Sequence, residues 1–441
     1  MQRRDFIKGI GATALLPSIL ACASSQQRTN VILIMTDDTG YEVFGAYGSK
    51  QYSTPRVDQL AATGMRFNHC YSNPVCVPSR VKILTGKSNA RNYVYWGVLD
   101  PAEKTIGHMM KDAGYRTCVA GKWQLEGDGT FAPETKGMGT LPEDAGFDAH
   151  CTWKQKTPYW QPVLRIDGEL TEPGDVFGPD VINDYVTNFI DENQHDPFFI
   201  YYPMRLTHSP FITTPDSADP TITGNQPRFE DMVAYMDKLV GQVVDKLDET
   251  GLRENTLILF TGDNGSPGGK KGGIRSKLNG RSIDGGKSLT TDAGTHVALV
   301  ANMPGTVPSG VVTDDLVDFS DMMPTIAGMT GARAPAAELD GVSFAPQLQG
   351  QKGNPREWIY CFNEPVPSPQ TRPVIFARDQ RWKLYNDGRL YDITSDVLEQ
   401  NPVTSGGTEA RRKLQAVLDA MPKEGMKIIR PQADPRLQAT S

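Results

Sequence analysis

The sequence predicts an α/β protein: a large, mostly parallel sheet sandwiched by helices, followed by a smaller C-terminal subdomain built on an antiparallel sheet. Three observations predict it. Apolar runs stop abruptly at acidic or polar residues, as strands buried on both faces do. Amphipathic helical stripes separate those runs. After about residue 345 the pattern changes to short strands joined by tight turns. A chain of 441 residues with 38% hydrophobic and 22% charged residues has material for a sizeable core, and its mean hydropathy of −0.41 excludes a multi-span membrane protein. There is no internal repeat and no long low-complexity run.

Taken in order, the chain opens with Arg3-Arg4-Asp5-Phe6-Ile7-Lys8 and a short apolar stretch through Leu20, the pattern of a twin-arginine export signal. Ile19-Leu20-Ala21-Cys22 resembles a bacterial lipobox, which makes Cys22 the expected lipid anchor; a plain cleaved signal is the alternative. Residues 1–27 are therefore read as signal and linker, 28–345 as the main domain and 346–441 as the C-terminal α+β subdomain. The expected location is outside the cytoplasm, in the periplasm or on the surface of a bacterium. Cleavage before Cys22 removes Arg3, Arg4, Lys8 and Asp5, a net +2, so the formal charge of −7 becomes −9. Net charge thus excludes a general polyanion binder, nucleic acid included, and an anionic substrate has to be drawn by a local field. Cys70, Cys118, Cys151 and Cys361 remain open between pairing in an oxidising compartment and buried thiols.

The first strand is Asn30 to Met35, which ends at Thr36-Asp37-Asp38. Tyr115 to Ala120 runs into Gly121-Lys122, Pro197 to Met204 into Thr207-His208, and Thr256 to Phe260 into Thr261-Gly262-Asp263-Asn264. Each strand delivers polar residues at its carboxyl end, where open α/β sheets bind ligands. Met232, Tyr235, Met236, Leu239, Val240, Val243, Val244 and Leu247 form one helical stripe with Gly251 as its stop. In the C-terminal part, Val374 to Arg378, Trp382 to Tyr385 and Arg389 to Ile393 read as strands, with Asn386-Asp387-Gly388 as a turn. Thr408 to Met421 reads as an amphipathic helix, and the tail beyond Pro431 as loosely held.

Asp37, Asp38, Asp263 and Asn264 bring three carboxylates and an amide oxygen to one sheet edge, where they would repel one another without a cation. Hard oxygen donors suit Ca2+ or Mg2+. An Asp-Asp pair alone is usually a turn or a helix cap, so their joint placement carries the argument. Downstream lies Cys76-Val77-Pro78-Ser79-Arg80, followed by Leu84-Thr85-Gly86, with Pro78 suited to the first turn of a helix whose amino end faces the anion site. A bare thiol there is expected to be a low-pKa thiolate, the simpler chemical alternative.

This motif with its strand-end residues resembles the formylglycine-dependent sulfatases, of the alkaline-phosphatase-like superfamily, over most of residues 28–400. The resemblance implies that Cys76 is oxidised to formylglycine by a formylglycine-generating enzyme and hydrates to a gem-diol. One gem-diol oxygen attacks sulfur, the alcohol leaves, and the second hydroxyl expels sulfate. It further implies that Asp37, Asp38, Asp263, Asn264 and the modified Cys76 hold one divalent cation. Arg80 would orient the formylglycine, Lys122 and Lys287 would neutralise sulfate oxygens, and His208 would serve the leaving oxygen. One position departs from the pattern: many sulfatases read Gly-Lys-Trp-His-Leu where this chain has Gly121-Lys122-Trp123-Gln124-Leu125. Gln124 can hydrogen-bond a gem-diol but cannot accept a proton.

Lys270, Lys271, Arg275, Lys277, Arg281 and Lys287 stand against one acid, Asp284, in Gly268 to Lys287, which suggests a basic rim or a solvated loop. Arg91, Asn92, Tyr93, Tyr95 and Trp96 are candidates to stack on a sugar, or core residues. With export, these features point to a sulfated polysaccharide or its oligosaccharides. Two readings compete: a phosphate mono- or diester or phosphonate hydrolase of the same superfamily, and an inactive surface lipoprotein that binds glycans.

Overall fold

The computed structural model describes residues 28–269, 272–335, 339–368, 370–422 and 432–438; the expected export signal with Cys22, and Lys270 and Lys271, lie outside them. The main sheet contains β1 (Asn30–Thr36), β2 (Met65–Tyr71), β3 (Arg116–Gly121), β4 (Ala149–Trp153), β5 (Leu164–Ile166), β6 (Glu169–Thr171), β7 (Phe198–Pro203) and β8 (Thr256–Gly262). A separate hairpin of β9 (Arg275–Leu278) and β10 (Arg281–Asp284) follows, then β11 (His296–Asn302) and β12 (Val311–Asp318) complete the sheet. Its order is β12-β2-β11-β8-β1-β7-β3-β4-β5-β6. Only β11 and β5 run against the others.

β1 sits inside the sheet because every residue of it is apolar or satisfied there. Val31, Leu33 and Met35 enter the core on one face, and Ile32 and Ile34 the core on the other. The first face is covered by the Cys76–Thr85 and Met322–Thr330 helices, the second by the Gly178–Glu192 and Asn225–Glu249 helices. All four expected strands are present as β1, β3, β7 and β8. The Met232–Leu247 stripe lies within the Asn225–Glu249 helix, and Gly251 follows its cap at φ +69°.

The C-terminal sheet runs β13 (Ile359–Asn363), β14 (Val374–Arg378), β15 (Trp382–Tyr385) and β16 (Leu390–Asp392), all antiparallel. The Thr408–Ala420 helix lays Leu414, Val417 and Leu418 on it, and Asn386-Asp387-Gly388 closes the turn into β16 with Gly388 at φ +89°. The two sheets are joined by buried polar contacts. Lys82, paired with Asp318 of β12 at 2.6 Å, also donates to Tyr360 O of β13 at 3.4 Å, Asn73 Nδ2 donates to Phe362 O at 2.8 Å, and Arg378 Nη1 donates to Asp292 at 2.8 Å. Such contacts anchor the Cys76 helix from behind.

The described part of the tail differs from its expectation. Asp434 N donates to Gly137 O at 2.7 Å and Arg436 pairs with Asp144, so residues 432–438 are docked by charge rather than loose. Cys70, Cys76, Cys118, Cys151 and Cys361 are buried, unbridged thiols. No helix among the described residues is long and apolar enough to cross a membrane.

Candidate active site

Three loop ends meet at the carboxyl edge of β1. Thr36 O accepts from Asp263 N at 2.9 Å, Asp37 N donates to Leu206 O at 2.9 Å, and Thr207 N donates to Asp37 O at 2.8 Å. These backbone bonds fix the acids of β1 and β8 and the loop of His208 in one register. Asp38, at φ +58°, turns its own N–H onto Asp263 Oδ1 at 2.9 Å. Its carboxylate accepts from Asn264 Nδ2 at 2.9 Å and from Lys287 Nζ at 2.7 Å, with His208 Nε2 at 3.8 Å. Lys122 reaches the same edge because Gly121, at φ +129°, lets β3 end against β7. A Cβ there would stand 2.0 Å from Pro203 O, to which Lys122 N donates at 2.7 Å. Lys122 Nζ then meets Asp37 Oδ2 at 2.7 Å.

The Cys76–Thr85 helix begins here with Cys76 at its first position, and all of its residues are buried. Ser79 Oγ accepts from Asn73 N at 3.0 Å, which folds the entry loop against the first turn. Arg80, fully buried, donates to Lys122 O at 2.5 Å and to Asp263 Oδ2 at 2.9 Å, and lies 3.9 Å from Asp37. Ser288 N donates to Pro74 O at 2.8 Å, tying the Lys287 loop to the same entry. Cys76 Sγ donates to Gln124 Oε1 at 3.3 Å. Gln124 and Ser288 join Asp38 in the left-handed region, at φ +59° and +75°, and such non-glycine outliers cluster at functional sites.

The oxygen donors fit a hard cation. One ligand atom each from Asp37, Cys76 and Asp263 lie within 4.8 Å of one another, as do those of Asp37, Asp38 and His208. Asp37 Oδ1 and Asn264 Oδ1 are buried without a hydrogen-bond partner, an arrangement that costs free energy unless something accepts their lone pairs. Electrostatics agree. Burial opposes the charge on Asp37, but Lys122, His208 and Arg80 outweigh it and hold that carboxyl well below its ordinary range. Burial, then Asp37, pushes Asp263 up to about 7. Arg80, Lys122 and Lys287 therefore do not settle all three acids, and a divalent cation would.

Some expectations are corrected. Burial pushes the Cys76 thiol up, against Lys122 and Lys287, so the helix end does not make a thiolate. Tyr93 and Tyr95 are buried; Tyr93 Oη donates to Pro365 O, Asn92 Nδ2 to Thr85 Oγ1 and Arg91 pairs with Asp340. Trp96 stands edge-on to Phe131. This segment is structural rather than a sugar platform. From Arg275 onward the basic stretch is not a loose loop: β9 and β10 form a hairpin in which Arg275 pairs with Asp284, and Lys287 turns inward to Asp38.

Sequence reasoning missed the wall of the cleft. A cavity of about 430 Å3 above Lys122, Gln124 and His208 is lined by Trp153, Lys156 and Arg205. Trp153 ends β4, a five-residue strand too short to stand out as an apolar run. Burial, then Lys122, lowers the His208 pKa, and its Nδ1 donates to Ser209 O at 2.6 Å, which leaves Nε2 toward the cleft.

Comparison with known proteins follows the same line. The sulfatase family model matches residues 29–332. Arylsulfatase A of Bos taurus is 32% identical over 434 residues, covering 89% of this chain and 82% of its own. N-acetylgalactosamine-6-sulfatase of Canis lupus familiaris is 28% identical, covering 84% and 76%. The solved structure of Ps i-CgsB has the same fold, with a TM-score of 0.75 at 23% identity over 91% of this chain and 94% of that one; a second structure shows it with k-i-k-neocarrahexaose.

Proposed function

The chain belongs to the sulfatase family and is a sulfuric ester hydrolase, and we propose that it frees sulfate from sulfated carbohydrates through an oxygen nucleophile made at Cys76. The observation that carries this reading is the place of Cys76: buried at a helix start, beside Gln124, with its sulfur grouped with carboxylate oxygens of Asp37 and Asp263. In the reactive enzyme the position of Sγ is taken by the oxygens of hydrated formylglycine, installed by a formylglycine-generating enzyme.

Asp37, Asp38, Asp263 and Asn264, with residue 76, would hold one Ca2+ or Mg2+. When bound, the cation supplies positive charge that favours the ionised nucleophile and the sulfate oxygens. Arg80 orients residue 76 by fixing Asp263 and the Lys122 carbonyl at once. Lys122 and Lys287 swing between their aspartates and the sulfate oxygens, offsetting charge as the oxygen–sulfur bond forms. The ester oxygen departs toward His208, whose Nε2, once protonated against the bound anion, gives it that proton or binds it while Nδ1 stays on Ser209 O. The remaining hydroxyl of residue 76 then gives its proton to solvent water, its oxygen re-forms the aldehyde C=O as the carbon–oxygen bond to sulfate breaks, and sulfate leaves with that electron pair. Gln124 steadies the diol in that step without taking the proton, so the release step of this chain runs without a base at residue 124.

Residues 1–27, with Cys22 as lipid anchor, suit work outside the cytoplasm, where such glycans are met. The test is a comparison of 4-nitrophenyl sulfate with 4-nitrophenyl phosphate, using protein matured with the converting enzyme and its Cys76→Ala variant. Sulfate turnover that vanishes in the variant supports the proposal. A clear preference for phosphate points to the phosphoesterase reading, and binding of sulfated glycan without turnover to the inactive lipoprotein.

A further inference from the structure

The cavity beside His208 does not end at Trp153. Beyond that ring lies a second cavity of about 270 Å3, and Trp153, Gln155 and Lys156 line both. Four cations border the second one, Lys136, Lys154, Lys156 and Arg165, against two acids, Glu126 and Asp128. The acids are engaged locally: Glu126 Oε2 accepts from Leu125 N at 3.0 Å and Asp128 Oδ1 from Thr130 N at 2.8 Å. Arg165 spends one arm, Nη1, on Gly168 O at 3.0 Å. In a chain of net charge −7, such a pocket is a local positive field.

The loop that separates the two cavities is held firmly. The Arg205 guanidinium lies 4.2 Å from the Trp153 ring centroid and 4.4 Å from that of Tyr159, and Arg205 Nη1 donates to Thr157 O at 2.7 Å. Thr157 Oγ1 donates to Lys154 O at 2.9 Å, and Tyr159 Oη donates to His208 O at 2.8 Å. Lys156 sits at φ +67° on the turn so fixed, exposed between the cavities. Its charge is thus presented from a braced backbone that also carries the His208 loop, which limits the entropy lost on binding.

We propose that this second cavity is an anion subsite. On the reading that Cys76 marks a sulfatase centre, Lys136 and Arg165, with Lys156 at the boundary between the cavities, would bind a second oxyanion, a sulfate or a carboxylate, on the same oligosaccharide whose first sulfate lies at residue 76. The enzyme would therefore select polyanionic oligosaccharides over singly sulfated ones.

The test is inhibition of 4-nitrophenyl sulfate hydrolysis by inorganic sulfate, by dextran sulfate oligosaccharides and by oligogalacturonate, in the wild type, Lys136→Ala/Arg165→Ala and Lys136→Arg/Arg165→Lys, two cations that line the second cavity and not the cleft. The inhibition constant for inorganic sulfate and the KM for the aryl ester should be unchanged. The constant for dextran sulfate oligosaccharides, or for oligogalacturonate if carboxylate is the preferred anion, should rise roughly 5- to 30-fold in the alanine variant and recover in the charge-preserving one. Equal shifts for inorganic sulfate and oligosaccharides, or no shift for either oligosaccharide, overturn the subsite. An enzyme inert to the aryl sulfate fails the parent reading instead. Calorimetric titration of the same variants with the same oligosaccharides then decides the subsite by itself: a weakened alanine variant supports it and an unchanged one overturns it.

Discussion

Replacing Arg80 by methionine removes a fully buried cation while keeping most of its volume. Two buried acceptors lose their donor: Asp263 Oδ2, at 2.9 Å, and the Lys122 carbonyl, at 2.5 Å. Breaking a buried ion pair costs about 3–5 kcal/mol and orphaning a buried carbonyl about 1–3 kcal/mol, so the variant should lose about 4–8 kcal/mol. For 441 residues at about 2.1 cal/mol/K each, the melting entropy is about 0.9 kcal/mol/K, which converts that loss into roughly 4–9 °C. Added Ca2+ should recover more of the melting temperature than it adds to the wild type, because Asp263 and Asp37 have lost an internal counter-charge. Scanning calorimetry with and without Ca2+, beside aryl sulfate turnover, reads both effects. A variant that melts within 1 °C of the wild type, on the order of the spread of a neutral surface change, would refute the view of Arg80 as the brace of this site.

Stripping divalent ions with EDTA should lower the melting temperature, and Ca2+ at a hundredfold excess over its Kd should return about 2.7 kcal/mol, or roughly 3 °C; an identical melt in both conditions counts against a cation among Asp37, Asp38, Asp263 and Asn264. Lys287→Ala should reduce kcat/KM for an aryl sulfate about 100- to 1000-fold, as expected for a charge used on developing sulfate oxygens; a loss under tenfold sinks that role. His296, buried against Tyr41 and Tyr71, is held by burial down to about 3. The unfolded chain takes up that proton below about pH 6.5, so stability should fall by about 1.4 kcal/mol per unit as pH drops below 6.5, until about pH 3. Denaturant unfolding at pH 7 and 5 should show the wild type losing about 2 kcal/mol more than His296→Gln, and equal losses contradict it.

The parts of the fold that could be read in the chain were those where one physical demand dominates. β1, β7 and β8 are buried on both faces and so spell continuous apolar runs, and the Asn225–Glu249 helix spells its stripe because one face meets the sheet. β2 and β12 escaped because their residues alternate between core and rim, in Met-Arg-Phe-Asn-His-Cys-Tyr and Val-Val-Thr-Asp-Asp-Leu-Val-Asp, which a loop could also carry. At the site, the residues at strand ends announced themselves. Trp153, Lys156 and Arg205 did not, since their value comes from a turn conformation and a stacked guanidinium that no spacing encodes. At Tyr93 the structure decides a question that the sequence left open: an aromatic near the motif helix is drawn into the core by the apolar surface around Cys76.

The central claim rests on Cys76 becoming the source of an oxygen nucleophile. The tryptic peptide Phe67 to Arg80 holds both Cys70 and Cys76, so the buried thiol of Cys70 serves as an internal control within one mass spectrum. In protein purified from its own host, the account predicts that peptide with an aldehyde or its hydrate at Cys76 and an intact thiol at Cys70. A thiol at Cys76 in every molecule would contradict it.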